Sequence, residues 1–143
     1  MKTSQTGVDL IKSFEGCKLT SYKCSAGVNT IGFGNTYYTN GNKVKLGDKI
    51  TQDEANKLFL DLLPKYEKTV LNNIKIPLTQ NQFDALVSFC WNCGSSNTLF
   101  TLINNKSIHV YDWWISHYIK GGGKILNGLV RRRKAEATLF IKK

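Results

Sequence analysis

The sequence predicts an α+β domain, and three observations carry that expectation. Residues 18–46 read as short β runs punctuated by Gly27, Gly32, Gly34 and Gly41. Two capping boxes, Thr51-Gln-Asp-Glu54 and Thr79-Gln-Asn-Gln82, then open apolar-periodic segments. From residue 79 onward, helical patterns follow one another with breaks at Gly94, Asn104-Asn105 and the glycines at 121–123. A small sheet followed by a bundle of short helices is the arrangement that this order implies.

In chain order, Thr6-Gly-Val-Asp9 resembles a capping signal, and Val8, Ile11 and Phe14 share one helical face. A first helix is expected over 7–14, too short to be stable without packing. Residues 19–23 and 29–33 look like strands joined by a turn. Tyr37-Tyr38, Asn40-Gly41 and 44–46 read as a hairpin, because Asn-Gly between such runs is a strong turn signal. The result is a sheet of about three strands that needs a helical neighbour to bury its apolar face.

Behind Thr51, the residues Ala55, Leu58, Phe59, Leu62, Tyr66 and Val70 keep helical period to about residue 71. Pro64 is expected to kink that helix, since its ring meets the Leu60 carbonyl and it offers no N–H. The helix after Thr79 is apolar on nearly every side, with Phe83, Ala85, Leu86, Val87, Phe89, Cys90 and Trp91, and belongs at the centre of a core. Further helices are expected over 96–103, over 108–119 with Ser107 as cap, and over 129–141.

At 143 residues the chain is one domain, 1–143. Its formal charge of +10 favours a polyanionic partner without choosing among nucleic acid, an anionic membrane and an anionic wall polymer. The first sixteen residues lack the apolar core of a signal peptide, and no apolar run approaches the roughly 18 residues of a membrane span. The expectation is a protein held in a cytoplasm at first, with no stable membrane insertion. Cys17, Cys90 and Cys93 read as small buried hydrophobes. A four-thiolate zinc site is disfavoured, because Cys17 and Cys24 lack the short spacing of zinc ligands. No metal and no cofactor are expected.

The chemistry concentrates in EGCKLTSYKCSAGVNTIGFG, residues 15–34. Eight residues separate Glu15 from Cys24, and five separate Cys24 from Thr30. Glycosidic hydrolysis needs an acid for the leaving oxygen and a group that drives attack from the other face, usually a second carboxylate. Glu15, just past a helix C-terminus, suits the acid, because the negative end of the helix raises a carboxyl pKa. The stretch holds no aspartate, and the spacing offers Cys24 and Thr30 instead. Taken singly, a glutamate after a short helix is ordinarily a solvated acid, and a cysteine or threonine on a strand ordinarily reflects packing or β-propensity.

The order of motifs weighs against those ordinary readings. EGCKLTSY followed by TIGFGNT resembles the signature of phage-type lysozymes, the endolysins of glycoside hydrolase family 24: Glu, eight residues, Asp or Cys, five residues, Thr. The likeness continues through ITQDEANKLF, PLTQNQFDALVSFCWNCG and GGGKILNGLVRRRKAEATLF. It implies a lysozyme-like fold with a small antiparallel β lobe (15–50), a connecting helix (51–73) and a larger helical lobe (74–143). In that pattern the helix at 7–14 packs on the helical lobe, and the active-site cleft lies between the lobes.

The implied activity is hydrolysis of the β-1,4 bond between N-acetylmuramic acid and N-acetylglucosamine in bacterial peptidoglycan. Glu15, Cys24 and Thr30 are then the catalytic positions. Many members carry Asp where this chain has Cys24, so the thiol either activates a water held by Thr30, with inversion, or attacks the sugar, with retention; the first is preferred. The basic run at 131–133 reads as a solvated face for at least two of its three arginines. Resemblance to the family's arginine beside the acid suggests Arg132 as an inward-turned partner. The implied partners are peptidoglycan glycan strands, not nucleic acid, and a separate membrane pore protein that releases a monomeric enzyme from the host cytoplasm. A lytic transglycosylase and an inactive basic wall-binding module are the alternatives.

Overall fold

The computed structural model describes residues 1–24 and 26–143. The element order is α1 (Gln5–Glu15), β1 (Lys18–Lys23), β2 (Asn29–Gly32), α2 (Gln52–Asn73), α3 (Gln80–Cys93), α4 (Asn97–Asn104), α5 (Val110–Ser116), β3 (Lys120–Gly121), β4 (Lys124–Ile125) and α6 (Asn127–Ile141). This is the α+β class expected. The chain forms two compact units, one of Met1–Ile11 with Lys65–Lys143, the other of Lys12–Pro64.

In the Lys12–Pro64 unit, β1 and β2 pair antiparallel with Tyr22 opposite Thr30 and Lys23 opposite Asn29. The expected third strand is absent as a strand among the described residues. The Asn40-Gly41 turn does form: Tyr38 N donates to Asn42 O at 2.9 Å and Gly41 takes φ 88°. Its arms carry only the isolated bridge Tyr37 to Lys43. The reason is local. Asp48 Oδ2 accepts from Lys45 N at 2.9 Å, turning the chain away before a ladder can extend. Ile31, Val44 and Leu58 make the buried centre, with Tyr38 and Ile50 against them. Phe33 meets Phe59 edge-on at 5.5 Å.

The start of α2 is built as its sequence signals. Thr51 N donates to Glu54 Oε1 at 3.0 Å, and Glu54 N donates to Thr51 Oγ1 at 3.1 Å. The helix runs 22 residues and passes through Pro64.

In the other unit, α3 is the axis. The Thr79 capping box opens it, Gly94 closes it, and every residue from Phe83 to Trp91 is buried. A helix buried on all sides must be apolar on nearly every side, and its buried polar side chains Asp84 and Ser88 are hydrogen-bonded. It packs against α6, and α5 packs against α6 as well. Trp114 of α5 lies 5.8 Å from Phe89 and 5.3 Å from Phe140, so aromatic rings tie these three helices together.

Several boundaries differ from expectation. Helix α1 begins at Gln5, ahead of the Thr6 signal, because Val8 N already donates to Ser4 O at 3.0 Å. The expected helix over 108–119 shrinks to Val110–Ser116, since Tyr118 takes a left-handed φ of 58° and His117 Nδ1 bonds Trp113 O at 2.7 Å. The glycines at 121–123 do more than break a helix: they form the tip of the β3–β4 hairpin.

Candidate active site

Glu15 is the last residue of α1 and half-buried. It is helical, not just beyond the helix as the sequence pattern suggests. Gly16 stops the helix one residue later by taking φ 66°, its N–H donating to Lys12 O at 3.0 Å. Cys24 follows β1 directly. Its N–H donates to Val28 O at 3.0 Å and its carbonyl accepts from Gly27 N at 2.8 Å, closing a turn in which Gly27 holds φ 78°. Thr30 lies on β2, buried.

The environment of Cys24 favours its thiolate. Backbone N–H groups of Val28 and then Ala26 are the main causes that hold the thiol below its ordinary range; partial burial opposes them, and the Thr30 hydroxyl adds a smaller lowering contribution. Thr30 Oγ1 also lies 2.9 Å from Val28 O. The hydroxyl has one proton, so it donates either to that carbonyl or to the sulfur at any moment.

Tyr22 lies opposite Thr30 in the β1–β2 pair. Burial pushes its phenol above the ordinary value first, and the negative charges of Glu15 and then Cys24 add to the rise. Tyr22 is the residue that sequence reasoning passed over. Its signal was the β register, which is not readable from spacing alone.

Arg132 belongs to the other unit. The basic run is not a mostly solvated face: only Arg131 is exposed, while Arg132 and Arg133 are 3% and 0% exposed. Both turn onto Glu136, itself fully buried. Arg132 Nε donates to Glu136 Oε2 at 3.2 Å, and Arg132 Nη2 donates to Ser88 O at 3.1 Å. Arg133 Nη2 donates to Glu136 Oε2 at 3.1 Å; Arg133 Nε lies 2.8 Å from Oε1 as an ion pair but makes no directed hydrogen bond. Ser88 Oγ and Trp114 Nε1 complete the carboxylate's shell at 2.6 and 3.1 Å. Sequence reasoning did not single out Glu136, although the two arginines precede it at the i+4 and i+3 spacings that face each other on a helix.

The remaining cysteines divide. Cys90 is a buried hydrophobe as expected, its thiol pushed up to about 12 by desolvation. Cys93 is partly exposed and accepts from Arg133 Nη1. Cys17 is also partly exposed, with Gln52 Nε2 3.6 Å from its sulfur, so neither is simple packing.

Comparisons with known proteins agree with one another. The family model described as Phage lysozyme matches residues 12–136. The chain is 39% identical to an endolysin of Bacillus phage B103, over 99% of this chain and 54% of that one. It thus spans about half the length of that relative. It is 35% identical to an endolysin of Acyrthosiphon pisum secondary endosymbiont phage 1, over 98% of each. Among solved structures, an endolysin from Escherichia coli O157:H7 phage FAHEc1 superposes with a TM-score of 0.84 at 36% identity, covering 99% of this chain and 94% of that one.

Proposed function

The chain belongs to the phage lysozyme family, and from that premise we propose that it is a muramidase acting in host-cell lysis. Its substrate in this reading is the β-1,4 bond between N-acetylmuramic acid and N-acetylglucosamine in peptidoglycan. The observation that carries the reading is the placement of Glu15, Cys24 and Thr30 within one compact unit, at the end of α1, in the turn that follows β1 and on the paired strand β2. Glu15 gives its proton to the leaving glycosidic oxygen. A water held by the Thr30 hydroxyl adds to the anomeric carbon from the opposite face and loses its proton to Cys24. The lowered thiol pKa supports that role for Cys24, because a base must be deprotonated at working pH. With water as the attacking group, the reaction in this reading inverts the anomeric centre.

Arg132 enters as a positioning group, on the family's pattern of an arginine beside the acid. Residues 15–50, 51–73 and 74–143 are then the β lobe, connecting helix and helical lobe. Storage in the host cytoplasm and release through a separate pore protein belong to the same proposal. No helix among the described residues is long and apolar enough to cross a membrane.

The test is Glu15→Gln in a turbidity assay on peptidoglycan. We expect at least about a hundredfold loss, the lower end for general acid catalysis, with the fold retained. A variant that keeps most of its lytic rate removes Glu15 from the mechanism. Reducing muramic ends in the products are expected; anhydro ends identify a transglycosylase instead.

A further inference from the structure

The Lys12–Pro64 unit carries a cavity that Glu15, Cys24 and Thr30 do not line. It has a volume of about 340 Å³ and is bounded by Tyr38, Thr39, Asn40, Ile50, Glu54 and Lys57, with Leu58 at its floor. A second hollow of about 200 Å³ adjoins it, sharing Tyr38, Thr39 and Leu58 and adding Asn35, Tyr37 and Asp61. The first alone is within the range of roughly 300–1,000 Å³ that small-molecule sites occupy.

The lining is fixed before any ligand arrives. Tyr38 Oη donates to Asp48 Oδ2 at 2.7 Å, and burial together with that bond pushes its phenol up to about 12, so the ring stays neutral. Asn40 is set by the turn, its Oδ1 accepting from Asn42 N at 3.0 Å. Thr39 Oγ1 and Lys57 Nζ both donate to Asp61 Oδ2 at 2.9 Å. Glu54 is held by the Thr51 N–H, which uses one of about four lone-pair sites on its carboxylate. Donors and acceptors therefore line the cavity together with the apolar side chains of Ile50 and Leu58, the latter buried as its floor.

That chemistry selects a ligand class. One lysine stands beside two carboxylates, Glu54 and Asp61, so phosphate and nucleic acid are poorly matched. An apolar floor without polar groups above it would suit a lipid chain. A floor of this kind, rimmed by a hydroxyl, an amide, a carboxylate and an ammonium, suits a neutral and amphipathic molecule with many hydroxyls.

We propose that this cavity is a second, non-catalytic binding site for an N-acetylhexosamine unit of the wall glycan. The acetamide methyl packs on Ile50 and Leu58, and the sugar hydroxyls bond Thr39, Asn40 and Glu54. The proposal rests on the muramidase reading for the identity of the glycan, and the site holds a strand without cutting it.

The experiment is a titration of the isotopically labelled Glu15→Gln protein with a β-1,4-linked N-acetylglucosamine trimer, followed amide by amide by NMR. Saturable shifts are expected at Thr39, Asn40, Glu54 and Lys57, separate from those at residues near Thr30. Adding Thr39→Ala and Asn40→Ala should weaken the first set at least about fivefold and leave the second set unchanged. Absence of saturable shifts at 39–40 and 54–58, at trimer concentrations that saturate the Thr30 region, overturns the proposal. Shifts at 39–40 and 54–58 that survive the double substitution with unchanged affinity overturn it as well. Lysis of peptidoglycan by the wild type is read separately. A protein that lyses but shows no pocket shifts loses this site alone, whereas one that never lyses loses the muramidase reading.

Discussion

Replacing Glu136 by Gln perturbs the most concentrated set of charges inside the Met1–Ile11 and Lys65–Lys143 unit. The carboxylate accepts from Ser88 Oγ at 2.6 Å, Trp114 Nε1 at 3.1 Å, Arg132 Nε at 3.2 Å and Arg133 Nη2 at 3.1 Å. Its two arginine partners are 3% and 0% exposed. Gln is nearly isosteric, so packing is preserved, but one acceptor oxygen becomes an NH2 that faces other donors. Two buried guanidiniums also lose their shared counter-charge.

Breaking a buried ion pair from one side costs about 3–5 kcal/mol. A chain of 143 residues, at about 2.1 cal/mol/K per residue, has an unfolding entropy near 0.3 kcal/mol/K. The expected fall in Tm is therefore about 10–17 °C, measured by circular dichroism on a protein that unfolds reversibly. Arg131→Gln, at an exposed position of the same run, is the control and should stay within about 0.5 kcal/mol of wild type. A fall below about 3 °C for Glu136→Gln, roughly 1 kcal/mol, would refute the reasoning, because the arginines would then be solvated or differently paired.

Three further outcomes follow from the same structure. Cys24 should alkylate with a pH midpoint below the roughly 8.5 of a free thiol, since only the thiolate reacts and its pKa is lowered. Cys90, buried and pushed up to about 12, should stay unmodified until the protein unfolds; mass spectrometry of digested protein separates the two, and a midpoint for Cys24 at or above 8.5 contradicts the thiolate environment. Gly7→Ala should destabilise despite a gain of about 0.8–1 kcal/mol in helix propensity. The new methyl would meet Thr3 Cγ2 at 2.6 Å and Asp84 Cγ at 2.8 Å, and Asp84 is fully buried and held by Ser4 and Gln80. Overpacking of about 1–3 kcal/mol then wins, and a Tm at or above wild type would mean that Asp84 yields. On the proposed muramidase reading, binding to peptidoglycan should weaken as salt rises, because a protein of net charge +10 would attract an anionic wall partly through a field that salt screens. A pull-down that is flat from low to high ionic strength would show that the charge serves solubility only.

What is local in this protein was legible in its residues alone. Thr51 with Glu54, and Thr79 with Gln82, specify two helix starts, because a capping box closes over four consecutive residues. The Asn40-Gly41 turn and the all-round apolar α3 were legible for the same reason: φ preference and helical period are properties of short segments. The Glu15, Cys24 and Thr30 spacing was legible as a pattern, and its order with the later motifs pointed to the family that the comparisons show.

Tertiary structure decided what depends on distant partners. Strand register made Tyr22 the neighbour of Thr30, and the charges of Glu15 and Cys24 reach that ring through space, not along the chain. The basic run looked solvated because charge ordinarily seeks water. Two of its arginines are buried because Ser88 and Trp114, dozens of residues away or on another helix, help Glu136 to satisfy them. The third strand failed because Asp48 turns the chain after Val44, and β-propensity carries no information about where a ladder must stop. A segment's own residues fix its conformational preferences. Which charges can be buried, and which side chains meet at a site, is fixed only when remote segments supply the hydrogen bonds and counter-charges that burial requires.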